Sequence, residues 1–322
     1  MRALLFALAA LLIAGAADAQ TRPPAPVSGF NPTTSAVSEE QLLGALKPVT
    51  GSITIPDGKA AVLIQPDGQA YRDYHRGVLP WLIGIFVIGT TVALVLFYLT
   101  RGRIPIEGGP SGRTLTRFGG FERFMHWLVA VSWIVLAISG LNVAIGAKVL
   151  MPLIGADAFA AFAQIAKYSH NYMAFPFTLG IVLMLLVWIR HNIPNKIDLE
   201  WFRQGGGLIG KGHPPSGRFN GGQKMIFWIV VGFGGLIAAT GFVLMFPFTV
   251  TDIGGMQVMQ VIHGALSVVM IAAILGHIYI GSVGMEGAFD AMGNGRVDVN
   301  WAKAHHDKWA AQELAKQRGA AE

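Results

Sequence analysis

The sequence contains no cysteine. Disulfides, thiolate-held iron–sulfur clusters and thioether-attached haem are therefore excluded, and nine histidines remain as the main candidate ligands for a metal. Charge is also scarce. Asp, Glu, Lys and Arg make up 13% of the 322 residues, against about a quarter in a soluble domain. Hydrophobic residues make up 53% and mean hydropathy is +0.51, which describes an integral membrane protein. The net charge of +6 belongs to loops, and no basic patch interleaved with aromatics marks a nucleic-acid surface. A His-Glu-x-x-His motif is missing and the apolar spans hold no carboxylate, so zinc chemistry is disfavoured.

What is present is a series of long apolar runs. The first follows Arg2 and ends at Ala17-Asp18-Ala19, an A-x-A pattern that predicts a signal peptide over 1–19 and leaves Gln20 outside the cytoplasm. Residues 20–78 are polar and rich in proline and glycine. A capping box at Ser38–Gln41 and Pro-Asp-Gly at 56–58 and 66–68 predict a periplasmic arm with a short helix and a hairpin. The arm reads either as a solvated tail or as a contact for a partner subunit. Five runs of spanning length follow, at about 79–99, 127–145, 162–189, 225–248 and 256–284. With Gln20 outside, the loops at 100–125, 190–224 and 285–322 are cytoplasmic. They carry most of the cations, whereas the short outer loops hold only Lys148 and Lys167. The positive-inside rule thus agrees with the signal peptide, and predicts a multi-pass bacterial inner-membrane protein with its mature N-terminus periplasmic and its C-terminus cytoplasmic.

The fifth run carries His263 and His277, fourteen residues apart. On a helix they fall within about 40° of one face and roughly 21 Å apart along the axis. His126 lies at the cytoplasmic end of the second run, and His170 in the outer half of the third. Depth permits two pairings, His126 with His277 and His170 with His263. One membrane histidine is commonly just hydrogen-bonded to a neighbouring carbonyl. Four at two matched depths predict two bis-histidine b-type haems stacked across the bilayer, centres that transfer electrons and do not bind oxygen. Ser139, Gly140, Gly234, Gly235 and Gly241 would give room to a macrocycle or serve plain helix packing, and Pro176 would kink the third span. His75, His191, His213, His305 and His306 are expected to be solvated. The stretch 218–224, RFNGGQK, reads as an interfacial loop or as the head-group pocket of a quinone.

From about 118 to 309 the chain resembles the cytochrome b556 (gamma) subunits of membrane-bound formate dehydrogenases. The resemblance is carried by ERFMHW at 122–127, RHNIPNKIDLEW at 190–201, RFNGGQKMIFW at 218–228, IHGALS at 262–267, GHIYIG at 276–281 and WAKAHHDKW at 301–309. Together with the five apolar runs it implies an all-α integral membrane fold of five transmembrane helices: a four-helix di-haem cytochrome b domain at 118–290 and a cytoplasmic tail at 291–322, with the run at 79–100 as an extra helix outside the resemblance. It further implies that a catalytic (alpha) subunit holding molybdenum or tungsten oxidises formate outside the membrane. An iron–sulfur (beta) subunit would pass electrons on to the haem of His170 and His263, then that of His126 and His277, and finally to menaquinone or ubiquinone. Family quinone contacts carry onto Asn220, Gly222 and Gln223, with His277 close by. Residues 1–117 depart from the shorter members, which have four spans and no signal peptide, and Asp307 stands where the family has proline. The alternatives are a cytochrome b for a hydrogenase or another periplasmic dehydrogenase and, from a different class, a haem-free membrane anchor or transporter.

Overall fold

The computed structural model describes residues 66–207 and 214–319. The expected signal peptide, most of the arm with its capping box and first Pro-Asp-Gly, and His213 lie outside the described residues. Five helices are long and apolar enough to cross a membrane: α1 (Gly68–Arg101), α2 (Gly120–Val149), α3 (Ala156–His191), α5 (Gly221–Met245) and α6 (Ile253–Gly284). Between α3 and α5 lies a short polar helix, α4 (Lys196–Arg203). At about 1.5 Å per residue, the 36 residues of α3 exceed a hydrocarbon core of roughly 30 Å, so its ends project beyond the apolar layer.

Helix starts follow local chemistry. Asn195, Asn220 and Asp252 cap α4, α5 and α6, each side chain accepting a backbone N–H of the first turn. The carboxylate of Glu122 accepts the Gly119 N–H at 3.0 Å and so caps α2. Here the structure moves two boundaries. The helix containing α1 begins at Pro66, so the second Pro-Asp-Gly opens a helix and does not close a hairpin, proline being pre-set for a first turn. The start of α2 at Gly120 brings Glu122 into its first turn, where the helix dipole favours a carboxylate.

The core of the bundle has a seven-residue layering. Met125, Val129, Trp133 and Leu136 of α2 pack with Phe177, Ile181, Met184 and Trp188 of α3, Phe227, Val230 and Ile237 of α5, and Met270 and Ile271 of α6. Met270 is fully buried midway between His263 and His277, and Phe177 stacks on Trp133 with ring centres 5.4 Å apart. A side chain at Gly234 would run into Ile181 at 2.8 Å, so this middle layer is closed by a glycine. On the flank, Leu79 and Ile83 of α1 pack with Val268 of α6 and with Leu141, Ala144 and Ile145 of α2.

One end of the bundle carries a polar cap. The strand before α2, β1 (Thr114–Thr116), pairs antiparallel with β2 (Arg296–Asp298), with Leu115 opposite Val297 and both buried. Two helices follow, α7 (Val299–His305) and α8 (Asp307–Gly319). Asp307 opens α8 and accepts the Ser216 N–H at 2.7 Å, which gives this residue a definite task.

Candidate functional site

Sequence spacing put four histidines at two depths, and the packing brings their rings together in two pairs. His126 of α2 faces His277 of α6 with ring centres 6.1 Å apart and planes inclined at 58°. His170 of α3 faces His263 of α6, again at 6.1 Å, with planes at 65°. No hydrogen bond joins the rings of either pair among the described residues. A metal–imidazole bond of about 2 Å, plus roughly 1.1 Å from nitrogen to ring centre, places two rings on opposite sides of one metal about 6.2 Å apart. Both pairs therefore fit a single metal held between them.

The pair farther from the polar cap is built symmetrically. Ser139 Oγ lies 2.9 Å from His170 Nδ1, and Thr240 Oγ1 lies 3.2 Å from His263 Nδ1. Each hydroxyl donates to carbonyls of its own helix, Val135 and Leu236 among them, so its lone pair is free to accept the imidazole N–H. The Ile237 carbonyl also accepts from His263 Nδ1, at 3.0 Å. With Nδ1 protonated and held, Nε2 keeps its lone pair, the tautomer a metal ligand needs. The next residue in each helix is glycine. A Cβ at Gly140 would stand 3.3 Å from His170 Cε1, and one at Gly241 would stand 3.1 Å from His263 Cε1. Sequence reasoning left Ser139, Gly140 and Gly241 open between room for a macrocycle and plain helix packing, and did not single out Thr240; the repeated hydroxyl–glycine pattern was the signal.

The cap-side pair is anchored differently. His126 Nδ1 is buried without a hydrogen-bond partner. His277, across from it on α6, is exposed at the side of the bundle. One turn before His126, Glu122 receives Arg218 Nη2 at 2.7 Å and Trp188 Nε1 at 2.7 Å, tying α2, α3 and the chain entering α5 together.

Asn220, Gly222 and Gln223 come together at the first turn of α5, but no hydrogen bond joins them to His277 among the described residues. Asn220 Oδ1 accepts the Gln223 N–H at 2.9 Å, and Gln223 Oε1 accepts the Asn220 N–H at 3.2 Å. This is a reciprocal capping box. A Cβ at Gly222 would meet Trp201 at 2.8 Å, so glycine lets the indole of α4 cover the turn. Lys224 is buried against Asp198 at 2.8 Å and the Ile193 carbonyl at 3.1 Å.

Two residues that sequence reasoning missed lie beside this turn. His306, expected to be solvated, is fully buried. Its Nδ1 donates to the Gly217 carbonyl at 2.9 Å and its Nε2 receives Arg117 Nη2 at 3.0 Å. A two-histidine run in a polar tail reads as exposed, because only the folded tail brings Trp301 and Trp309 around it. Arg117 is buried too, with its guanidinium 4.9–5.7 Å from the ring centres of Phe118, Trp301 and Trp309. Burial, reinforced by the nearby Arg218 charge, lowers its pKa to about 9. Burial and the adjacent Arg117 push the His306 pKa well below the usual imidazole value, so the ring is neutral.

Comparison with known proteins fits this geometry. The nitrate-inducible formate dehydrogenase cytochrome b556(Fdn) subunit of Escherichia coli (strain K12) is 27% identical over 206 residues, covering 62% of this chain and 91% of the relative. The formate dehydrogenase cytochrome b556(fdo) subunit of the same organism is 28% identical over 200 residues, covering 61% and 92%. The formate dehydrogenase cytochrome b556 subunit of Haemophilus influenzae is 28% identical over 159 residues, covering 47% and 65%. Residues 117–295, which include all four paired histidines, match the family described as prokaryotic cytochrome b561, a family that implies haem b. This multi-pass helical membrane chain belongs to the prokaryotic cytochrome b561 family.

Proposed function

We propose that this chain is the membrane cytochrome b subunit of a formate dehydrogenase and carries electrons from a periplasmic iron–sulfur partner to quinone. The observation that carries the reading is the pair of matched histidine pairs, each spaced for one metal, within a chain whose relatives are formate dehydrogenase cytochromes. His170 and His263 would hold one haem b, and His126 and His277 a second. When bound, such a bis-histidine group supplies a one-electron centre that is closed to oxygen.

The chain's own residues do the remaining work. Ser139 and Thr240 orient the distal imidazoles and fix their tautomer. Trp133, Phe177 and Met270 fill the space between the two pairs and keep water out of it. With the polar cap on the cytoplasmic side, as the loop cations direct, Asn220, Gly222 and Gln223 form the quinone head-group contact. Formate gives up two electrons and a proton outside as it becomes carbon dioxide. Quinone takes two electrons and two protons at the cytoplasmic side, so the cycle generates proton-motive force.

The test is to supply formate to membranes holding the whole complex and follow the b-type absorbance. Reduction by formate, followed by reoxidation on adding menadione or decyl-ubiquinone, is the expected result. Reduction by hydrogen and not by formate would assign the chain to a hydrogenase, and no b-type spectrum would leave a haem-free anchor.

A further inference from the structure

Among the described residues the cation Arg117 has no carboxylate of its own, since the nearby Glu122 is taken by Arg218. Its Nε and Nη1 are buried without partners, under three aromatic rings. Burying an unpaired cation is expensive, and well-packed apolar residues commonly serve stability better. What Arg117 does accomplish is specific. Its Nη2 reaches the Arg218 carbonyl at 2.7 Å, His306 Nε2 at 3.0 Å and Gln223 Oε1 at 3.4 Å. One nitrogen therefore joins the histidine between α7 and α8 to the first turn of α5. His306 can serve as the acceptor because its other nitrogen is committed to the Gly217 carbonyl.

The consequence falls on Gln223. Its carbonyl oxygen is engaged twice, by the Asn220 N–H and by Arg117. The amide of a glutamine carries two donors on the opposite atom. Holding the oxygen thus fixes which end of the side chain is left to bind a ligand. We infer that Arg117, locked by His306, is a positioning residue for quinone: it pins the Gln223 oxygen and leaves the amide N–H2 as the donor to a quinone carbonyl. This rests on the quinone reading above, and adds to it a role for the buried tail histidine.

The experiment uses the whole complex in membranes, with decyl-ubiquinone and menadione as probes, and compares His306→Leu, His306→Gln, Arg117→Lys, Gln223→Ala and the double change Gln223→Ala with His306→Leu. Three quantities are read: haem per chain, the rate of haem reduction by formate, and the KM and kcat for the probes. His306→Leu and Arg117→Lys should raise KM about three- to tenfold, the weight of one hydrogen bond, with haem content and haem reduction by formate unchanged. Gln223→Ala should raise it by a similar factor. His306→Gln should restore it, because a glutamine can accept from Arg117 and donate to Gly217. The double change should be no worse than Gln223→Ala alone, because both act through one amide.

A rise in KM for Gln223→Ala with parental values for His306→Leu and Arg117→Lys would overturn the positioning role and leave the quinone site standing. Parental values in all variants would overturn the quinone reading and the positioning role together. Loss of haem in His306→Leu and His306→Gln alike would make the cluster a scaffold and overturn the inference.

Discussion

Replacing Ser139 by alanine removes the one side-chain hydroxyl that holds His170 Nδ1, at 2.9 Å. An imidazole that donates its N–H is a more basic ligand and favours the oxidised metal. Losing that bond should raise the potential of the distal haem. A neutral hydrogen bond is worth about 0.5–1.5 kcal/mol, and for one electron about 1.4 kcal/mol corresponds to roughly 59 mV. The expected shift is therefore an increase of at most about 20–60 mV in one of the two b-haem potentials, the full value applying if the bond counts only in the oxidised state. Thr240→Ala should shift the same haem in the same direction, with the Ile237 carbonyl still accepting from His263 Nδ1 at 3.0 Å. The other haem should not move, since no hydroxyl holds His126 Nδ1. A redox titration of the purified complex, followed at the b-type absorbance, reads both potentials at once. Equal shifts in both haems, or a downward shift, would refute the reasoning.

Three further outcomes follow from the same geometry. Gly140→Val and Gly241→Val place a branched side chain where even a Cβ lies 3.3 or 3.1 Å from an imidazole carbon, so each should lose one haem of two, read by haem per chain. Glu122→Gln leaves Arg218, a partly buried cation, without its carboxylate and weakens the Trp188 bond; it should cost about 1–3 kcal/mol and lower the melting temperature by a few degrees. His306 is held neutral when folded, whereas the unfolded chain binds its proton below about 6.5, so it lowers stability as pH falls below that value. The melting temperature should drop between about pH 6.5 and 5 in the parent, and less in His306→Gln.

The spans and the two histidine depths are legible because both rest on local properties. Apolar run length marks a membrane helix, and 3.6 residues per turn fixes which residues share its face. Fourteen residues from His263 to His277 determine where their partners must lie, whatever the helices do between. The hydroxyls of Ser139 and Thr240 are a different matter. In sequence they are small residues next to glycines, and only the approach of another helix turns them toward an imidazole. The Arg117 cluster was illegible for a plainer reason, as Arg117 lies 189 residues from His306 and 106 from Gln223. No local pattern tells a tail histidine that it will be walled in by Trp301, Trp309 and an arginine from the far end of the domain. Pro66 shows the opposite failure, since Pro-Asp-Gly is a good turn and also a good helix start, and the apolar helix that follows decides between them.

The central claim is two metal centres in one bundle, one per histidine pair. Its most direct test is haem per chain with reduced-minus-oxidised spectra, on the parent complex and on His170→Ala and His277→Ala. The account predicts two b-type haems in the parent and one in each variant, with a different component lost in each. No haem in the parent, or loss of the same component in both variants, would contradict it.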